Sequence, residues 1–589
     1  MDNKKLAQLL EETGVLKRLA GENDFKAAAY DRAARQIENM ETPIAEYIEG
    51  ENVDSIPGIG KSLATQIYAY AETGRLPVLD ALHEQIPAGL IKWLDIPGLG
   101  PKKIYKVHRE LGITEMAELV EKCRDGSVAE LKGMGAKTAD KILSSIAFME
   151  KFGERCRADE AASVAKTFND FLCDQPGVDA ISLAGSSRRR LETIGDIDIL
   201  VAAKELRVPS IMEAFTTHPD VVEILAKGDT KSSIRTGEGR QVDLRVIPKK
   251  HFSAALMYFT GSKEHNIATR ARARERGMAL NEYGLFQLDD KGDTNFDEPV
   301  NTKTETDIYR KLDLPFIEPE LREDRGEFAW FESHEAIDLL QDADIQGILH
   351  AHSTWSDGAH TIHEMAMGCI ERGYTYLGLT DHSRAAAYAG GLTAERVEAQ
   401  WKEIHEVNQQ LADEGHGFHV FKGIESDILG NGDLDYEEEI LAGFDFIIAS
   451  VHSALDMEPE KMLERMQKAA ANPYCTIIGH PTGRLLLKRK GSDMDLNALV
   501  EHCADHKTVI EINANPRRLD LDWRYGRKAH QCGMMTSINP DAHNLEMLDD
   551  IKYGVGVARK GWYNPQRVLN TKSLEEISTW FETPKNERI

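Results

Sequence analysis

From about residue 340 to the end of the chain, short apolar runs alternate with amphipathic stretches at helical spacing, and no other feature restricts the fold as strongly. The runs are IQGILH, YLGLTDH, HVFKGIES, FDFIIASVH, CTIIGHP, TVIEIN and MMTSINPDAH, which makes seven β/α units. Buried strands joined by helices require parallel pairing with the helices packed outside, so a barrel or another parallel sheet is expected.

Nearly every run ends on a potential metal ligand. His350 and His352 end the first, with Asp357 just after; His382 follows the second, Glu425 the third, His452 the fourth, His480 the fifth, and Asp541 with His543 the last. In a β/α barrel the C-terminal strand ends face one mouth, so these nine side chains are predicted to meet in one pocket. A single HxH pair is ordinary surface chemistry, whereas nine ligands at successive strand ends are not accidental. Imidazole and carboxylate together suit zinc, manganese or iron. The remaining histidines of this half, 334, 360, 363, 405, 416, 419, 502, 506 and 530, fall on predicted helices or loops and read as solvated.

The first 150 residues follow a different rule. They read as helical and contain a repeat: IPGIGKSLATQI at 56–67, IPGLGPKKIYKV at 96–107 and LKGMGAKTADKI at 131–142. Each copy is a Gly-x-Gly turn (Gly58 and Gly60; Gly98 and Gly100; Gly133 and Gly135) opening an amphipathic helix, with lysines close by (Lys61; Lys102 and Lys103; Lys132 and Lys137). The free N–H groups of a helix start attract an anion, and three lysine-flanked copies predict contact with a phosphate backbone without base reading. The repeats resemble helix-hairpin-helix modules.

From about 160 the period changes to two. In IGDIDILVA the carboxylates of Asp196 and Asp198 share one strand face, and RQVDLRVIP places Asp243 on the polar side of a second strand. Three such aspartates can hold two hard divalent cations for in-line phosphoryl displacement. Upstream lies LAGSSRRRLE, where Gly185 permits close backbone approach to a phosphate, Ser186 offers a hydroxyl and Arg189 a guanidinium.

With GSSRRR, GDIDIL, QVDLRV, YFTGS and LNEYGLF in this order, the chain over roughly 1–318 resembles the family X DNA polymerases. That resemblance implies that Asp196, Asp198 and Asp243 are the catalytic metal ligands, with Mg²⁺ or Mn²⁺ bound. It implies that Gly185, Ser186 and Arg189 hold the triphosphate, that Tyr258, Phe259 and Gly261 form a wall against ribonucleotides, and that Asn266 meets the incoming base and Arg270 the template. Some members remove a 5′-deoxyribose phosphate with a Schiff-base lysine after the first Gly-x-Gly turn; here that position aligns with Gln66, which cannot form an imine, and Lys61 lies one turn too early.

The motifs HAHSTWSDG, LTDHS, GIESDIL, SVHS, IGHP and PDAHN are similar to those of PHP domains, covering about 336–572. By that resemblance up to three Mn²⁺ or Zn²⁺ ions are expected: His350, His352, Glu425 and Asp541 at one, Glu425, His452 and His480 at a second, and Asp357, His382 and His543 at a third, for hydrolysis of phosphoesters. Lys488, Arg489 and Lys490 either guide a DNA strand or form a solvated loop.

The expected architecture is therefore multidomain, α+β and α/β. It comprises a helix-hairpin-helix domain over 1–85 and a fingers-like domain with two further repeats over 86–155. A nucleotidyltransferase palm over 156–255 and a thumb over 256–318 follow, then an acid-rich linker over 319–335, a distorted (β/α)7 PHP barrel over 336–572 and a tail over 573–589. The resemblance implies a gap-filling repair polymerase acting on gapped or nicked DNA with dNTPs, plus a 3′-to-5′ exonuclease with 3′-phosphatase or abasic-site endonuclease activity. The competing expectation is that only one half is active, the other serving as a DNA-binding module or a scaffold.

Composition fits once it is divided. The net charge of −27 argues against a nucleic-acid partner, yet residues 301–589 hold 30 Lys+Arg against 50 Asp+Glu, whereas 101–276 hold 30 against 26. A local basic track then carries DNA binding, which should weaken steeply with salt. The seven cysteines are scattered without a CxxC pair, and no apolar stretch is long enough for a membrane span. A cytoplasmic, nucleoid-associated monomer is the expectation.

Overall fold

The structure is a computed structural model, which describes residues 3–588 apart from 39, 41–43, 57, 97, 98, 153, 154, 290, 292, 293 and 334–336. It divides into two compact units, Met1–Gly153 with Leu487–Arg489, and Glu154–Leu486 with Lys490–Ile589.

The first unit is helical, from Asn3–Leu19 to Gly135–Phe152. Its Gly-x-Gly turns owe their shape to the residue between the glycines. Ile59, Leu99 and Met134 are buried in the core, while Gly60, Gly100, Gly133 and Gly135 stay exposed with open space where a Cβ would stand. The apolar residue pins the turn and leaves its backbone facing outward. Gly60 and Gly100 cap the helices Lys61–Thr73 and Pro101–Leu111, and Gly58, Gly133 and Gly135 have positive φ, which favours glycine. Gly98 lies outside the described residues.

The second unit begins with a five-stranded sheet in the order Val178–Leu183, Asp196–Ala203, Gln241–Ile247, Lys231–Thr236, Val221–Lys227. Only the central pair, Asp196–Ala203 with Gln241–Ile247, is parallel, and its register sets Asp198 directly opposite Asp243. The helices Ala158–Cys173 and Val208–Thr216 bury Phe168 and Phe215 against the sheet. The helices Phe252–Thr260 and Lys263–Glu275, a three-stranded antiparallel sheet and the helix Glu305–Lys311 follow.

Residues 347–539 supply parallel strands in two registers, Gly347–Ala351, Tyr376–Leu379 and His419–Lys422 in one, and Glu425–Asp427, Ile448–Ser450, Ile477–Ile478, Val509–Asn513 and Thr536–Asn539 in the other. The segment 419–427 belongs to both, pairing backward through its first half and forward through its second. The ends meet where the His352 N–H donates to the Ala542 carbonyl at 2.8 Å. The result is the distorted seven-stranded barrel expected from the apolar runs. Leu349, Phe421, Phe446 and Val509 fill part of its interior with Ile577, Trp580 and Phe581 of the helix Leu574–Glu582. The segment expected as a tail thus contributes core.

The segment expected as a linker is also packed. Glu320, Arg322 and Glu327 are buried because each meets an opposite charge or a hydrogen-bond partner: Arg559 donates to Glu320 at 2.7 Å, Arg322 to Glu305 at 2.7 Å, and His265 Nδ1 lies 2.8 Å from Glu327. His334 falls outside the described residues. Of the other histidines read as solvated, His405 and His506 are exposed, while 360, 363, 416, 419, 502 and 530 are half-buried.

Two candidate metal centres

The first centre follows from strand register. Asp196, Asp198 and Asp243 offer oxygens that all lie within 4.8 Å of one another. Asp243 is held by Gln241 Nε2 at 2.9 Å and Lys231 Nζ at 3.0 Å. Burial, followed by the charges of Asp196 and Asp243, pushes the Asp198 carboxyl up to about 7. Three crowded carboxylates with so little compensating charge make a donor set that fits hard divalent cations.

Gly185 lies against this triad. Its φ is +56°, and a Cβ there would stand 2.0 Å from Asp198 Oδ2, so only glycine brings the backbone so close. The short helix Gly185–Arg188 starts here with Ser186, and the three arginines after it turn toward the rest of the unit. Arg188 donates to Glu305 at 3.0 Å, Arg189 to Glu323 at 2.9 Å and to the Thr260 carbonyl, and Arg190 lies 3.4 Å from Glu320. Arg189 thereby sits beside the Tyr258–Gly261 segment. Asn266 Nδ2 donates to the Tyr258 carbonyl at 2.7 Å, the Arg245 guanidinium lies over the Phe259 ring, and Arg270 remains exposed one turn after Asn266.

The second centre is at the C-terminal ends of the barrel strands, where the nine sequence-predicted ligands come together. Three groups have donor atoms mutually within 4.8 Å: His350, His352 and Asp541; His382, Glu425 and His452; and His352, Asp357, His382 and His543. The sharing differs from the expected sets, because His352 and His382 each serve two groups. Glu425, central and fully buried, explains this: its Oε1 lies 3.0 Å from His480 and 3.2 Å from His452, and its Oε2 2.9 Å from His382 and 3.8 Å from His352. His480 touches Glu425 but lies outside the three groups.

Charge at this centre is partitioned. Burial, then the neighbouring His543 and His382, holds the His352 imidazole down at about 3, so it is neutral. Burial also works against charge on His452 and His543, but Glu425 with Asp427, and Asp357 with Asp541, outweigh it and raise them to about 10 and 9. Although burial alone would raise them, Glu425 and Asp541 are held well below the usual carboxylate range by the surrounding imidazoles. His350 Nε2 and His352 Nδ1 are buried without a hydrogen-bond partner, which fits a metal-ligating donor set.

Several residues that build this centre escaped sequence reasoning. Glu511, in the middle of TVIEIN, is fully buried and accepts from the His480 N–H at 2.8 Å, Asn539 Nδ2 at 3.0 Å and Asn513 Nδ2 at 3.2 Å, with His350 Nδ1 at 2.7 Å. A carboxylate can only accept, so His350 Nδ1 donates to Glu511 and Nε2 turns toward the cluster. Asp381 accepts from the Ser353 and Ser356 hydroxyls and Gln400, fixing the turn after His352. The sole sequence signal for Glu511 is a charge in an otherwise apolar run.

Comparison with known proteins adds the family. Models described as Helix-hairpin-helix domain, SAM-like Helix-hairpin-helix tandem, DNA polymerase beta thumb and PHP domain match residues 1–76, 90–147, 255–323 and 349–515. A relative from Bacillus subtilis (strain 168), "DNA polymerase/3'-5' exonuclease PolX", is 38% identical over 584 residues, covering 99% of this chain and 100% of its own length. The chain belongs to the family X DNA polymerases that carry a C-terminal PHP domain. A second relative, "DNA polymerase lambda" of Rattus norvegicus, is 26% identical over 326 residues, covering 51% of this chain and 52% of its own length. No helix among the described residues is long and apolar enough to cross a membrane.

Proposed function

We propose that the chain is a template-directed, gap-filling DNA polymerase whose PHP domain is a separate 3′-to-5′ exonuclease. The observation that carries the polymerase reading is the Asp196, Asp198 and Asp243 cluster beside the close-approach glycine Gly185. Phosphoryl transfer is catalysed mainly by positioning and charge neutralisation, and two Mg²⁺ or Mn²⁺ ions would supply that neutralisation at the three aspartates. Gly185, Ser186 and Arg189 then hold the triphosphate, Tyr258, Phe259 and Gly261 form the sugar-side wall, and Asn266 and Arg270 meet base and template. The exposed turns at Gly58, Gly60 and Lys61, at Gly100 and Lys102, and at Gly133 and Gly135 hold DNA by its phosphates.

At the barrel mouth, Mn²⁺ or Zn²⁺, up to three ions, would polarise a phosphoester and provide the nucleophile. His350, His352, Asp357, His382, Glu425, His452, His480, Asp541 and His543 are the residues that hold them, with Glu511 orienting His350. The same site accommodates 3′-phosphatase or abasic-site endonuclease chemistry, since each breaks a phosphoester. A Schiff-base lyase step is not proposed: Gln66 Oε1 instead accepts the N–H of Val78, where the next helix begins. The protein works as a cytoplasmic, nucleoid-associated monomer.

Incubating the protein on a gapped duplex with and without dNTPs, in Mg²⁺ or Mn²⁺, tests both halves on one gel. Extension with dNTPs and shortening without them is expected; no extension on any gapped duplex refutes the polymerase reading, and no shortening the exonuclease reading.

A further inference from the structure

The three consecutive arginines after Gly185 share one electrostatic pattern. Each pairs with a carboxylate that a second cation also holds: Arg188 and Arg322 at Glu305, Arg189 and Lys560 at Glu323, Arg190 and Arg559 at Glu320. A lone arginine–carboxylate pair is neutral and has little field left for an anion. A cation–carboxylate–cation triad keeps one net positive charge, so Arg188 and Arg189 retain a pull on a phosphate, whereas Arg559 also lies 3.7 Å from Glu318, which offsets the charge of the third set. Two of the three outer cations, Arg559 and Lys560, belong to the barrel helix Ile551–Lys560 rather than to the polymerase part of the unit.

Lys560 is the more informative of the two. Its side chain is fully buried, and its ammonium donates to the Arg189 carbonyl and the Glu320 carbonyl, each at 3.2 Å, and to the Glu323 carboxylate. All three N–H bonds are used, and Nζ also lies 4.6 Å from the centre of the Trp523 ring. The lysine therefore touches the backbone of Arg189 and the counter-ion of its guanidinium together. Glu192, three residues on, is held by the same barrel surface through Trp523 Nε1 at 3.0 Å and Arg524 at 2.8 Å.

We propose that Lys560 of the PHP barrel is a positioning residue for nucleotide binding at the polymerase site: by sharing Glu323 it weakens that carboxylate's hold on the Arg189 guanidinium, which can then engage an incoming triphosphate. The inference rests on the polymerase reading and on Arg189 as a triphosphate contact. Without Lys560, Glu323 is left with Arg189 as its cation and holds it as a neutral pair, at the triphosphate's expense.

The test is single-nucleotide incorporation into a gapped duplex by the full-length chain, with KM for the dNTP and kcat determined for wild type, Lys560→Met, Glu323→Gln and the double variant. Lys560→Met is expected to raise KM about tenfold with kcat within about twofold, and adding Glu323→Gln to return KM to within about twofold of wild type. An unmoved KM in Lys560→Met, or a double variant no better than Lys560→Met alone, overturns the proposal. Degradation of a single-stranded 3′ end by the same preparations reports whether the barrel is folded. Should Lys560→Met fail that control, Lys560→Arg must keep KM within about twofold and Lys560→Gln must raise it, or the proposal falls. A wild-type chain that incorporates no nucleotide overturns the polymerase reading itself, and this inference with it.

Discussion

Replacing Glu511 with Gln should disable the PHP centre without touching any of the nine side chains expected to hold metal. Glu511 is fully buried, and each of its oxygens faces two nitrogens that act as donors: Oε1 meets His350 Nδ1 and Asn539 Nδ2, and Oε2 meets the His480 N–H and Asn513 Nδ2. A glutamine must set its amide NH₂ against one of these pairs, so two hydrogen bonds to a charged acceptor are lost whichever way it turns. Each is worth about 1.5–3 kcal/mol in a buried setting. The protein relaxes most cheaply by turning His350 or shifting the His480 backbone, and both movements displace ligands. Loss of such an orienting contact typically costs about 10- to 100-fold in metal affinity or activity. The assay is initial-rate degradation of a single-stranded oligonucleotide across a manganese titration, with incorporation on a gapped duplex as the internal control. The expected result is a 10- to 100-fold lower rate at limiting manganese, with incorporation unchanged. A rate within about twofold of wild type at every metal concentration refutes the reasoning, because His350 would then need no fixed orientation.

Other consequences follow from single contacts. Gly185→Ala places a methyl group 2.0 Å from Asp198 Oδ2, so incorporation should fall by more than about 100-fold while 3′-end degradation persists; normal incorporation would contradict the close approach. Arg322→Met removes one of the two cations on the buried Glu305 and leaves it paired with Arg188, so chemical denaturation should report a loss of about 1.5–3 kcal/mol; unchanged stability would contradict a stabilising Arg322–Glu305 contact. Burial, then the charge of Asp159, raises the Asp550 carboxyl to about 6. A raised carboxyl contributes stability below its unfolded value near 4 and loses it as the pH climbs through 6. Asp550→Asn should therefore unfold later than wild type at pH 8, by about 1–2 kcal/mol after allowing for partial exposure, and the gain should vanish near pH 4; a pH-independent gain would be inconsistent with this account.

What could be read from the sequence was whatever is encoded locally. Ile59 between Gly58 and Gly60, Asp196 and Asp198 two residues apart on a strand, and His350 and His352 at a strand end each state their geometry within a few residues, because turn, pleat and barrel mouth fix where those side chains go. The expected metal sets were less legible, since which imidazoles share Glu425 depends on how neighbouring strands stagger. Least legible were contacts between distant segments. Glu305 lies more than a hundred residues from Arg188, and Glu323 more than two hundred from Lys560. For that reason 319–335 looked like an exposed linker: its acidic residues advertise solvent until the arginines and the lysine that neutralise them are known. Glu511 was invisible for a related cause, because a charge in an apolar strand declares its role only when His350 and two asparagines stand around it.

On the proposed function, two separate metal centres in one chain make and break the bonds of a DNA 3′ end. The most direct measurement is extension and degradation of one labelled gapped duplex by Asp243→Ala and His352→Ala side by side. Asp243→Ala should lose extension and keep degradation, and His352→Ala should do the reverse. Loss of both activities in either variant, or extension that survives Asp243→Ala, would contradict the proposed function.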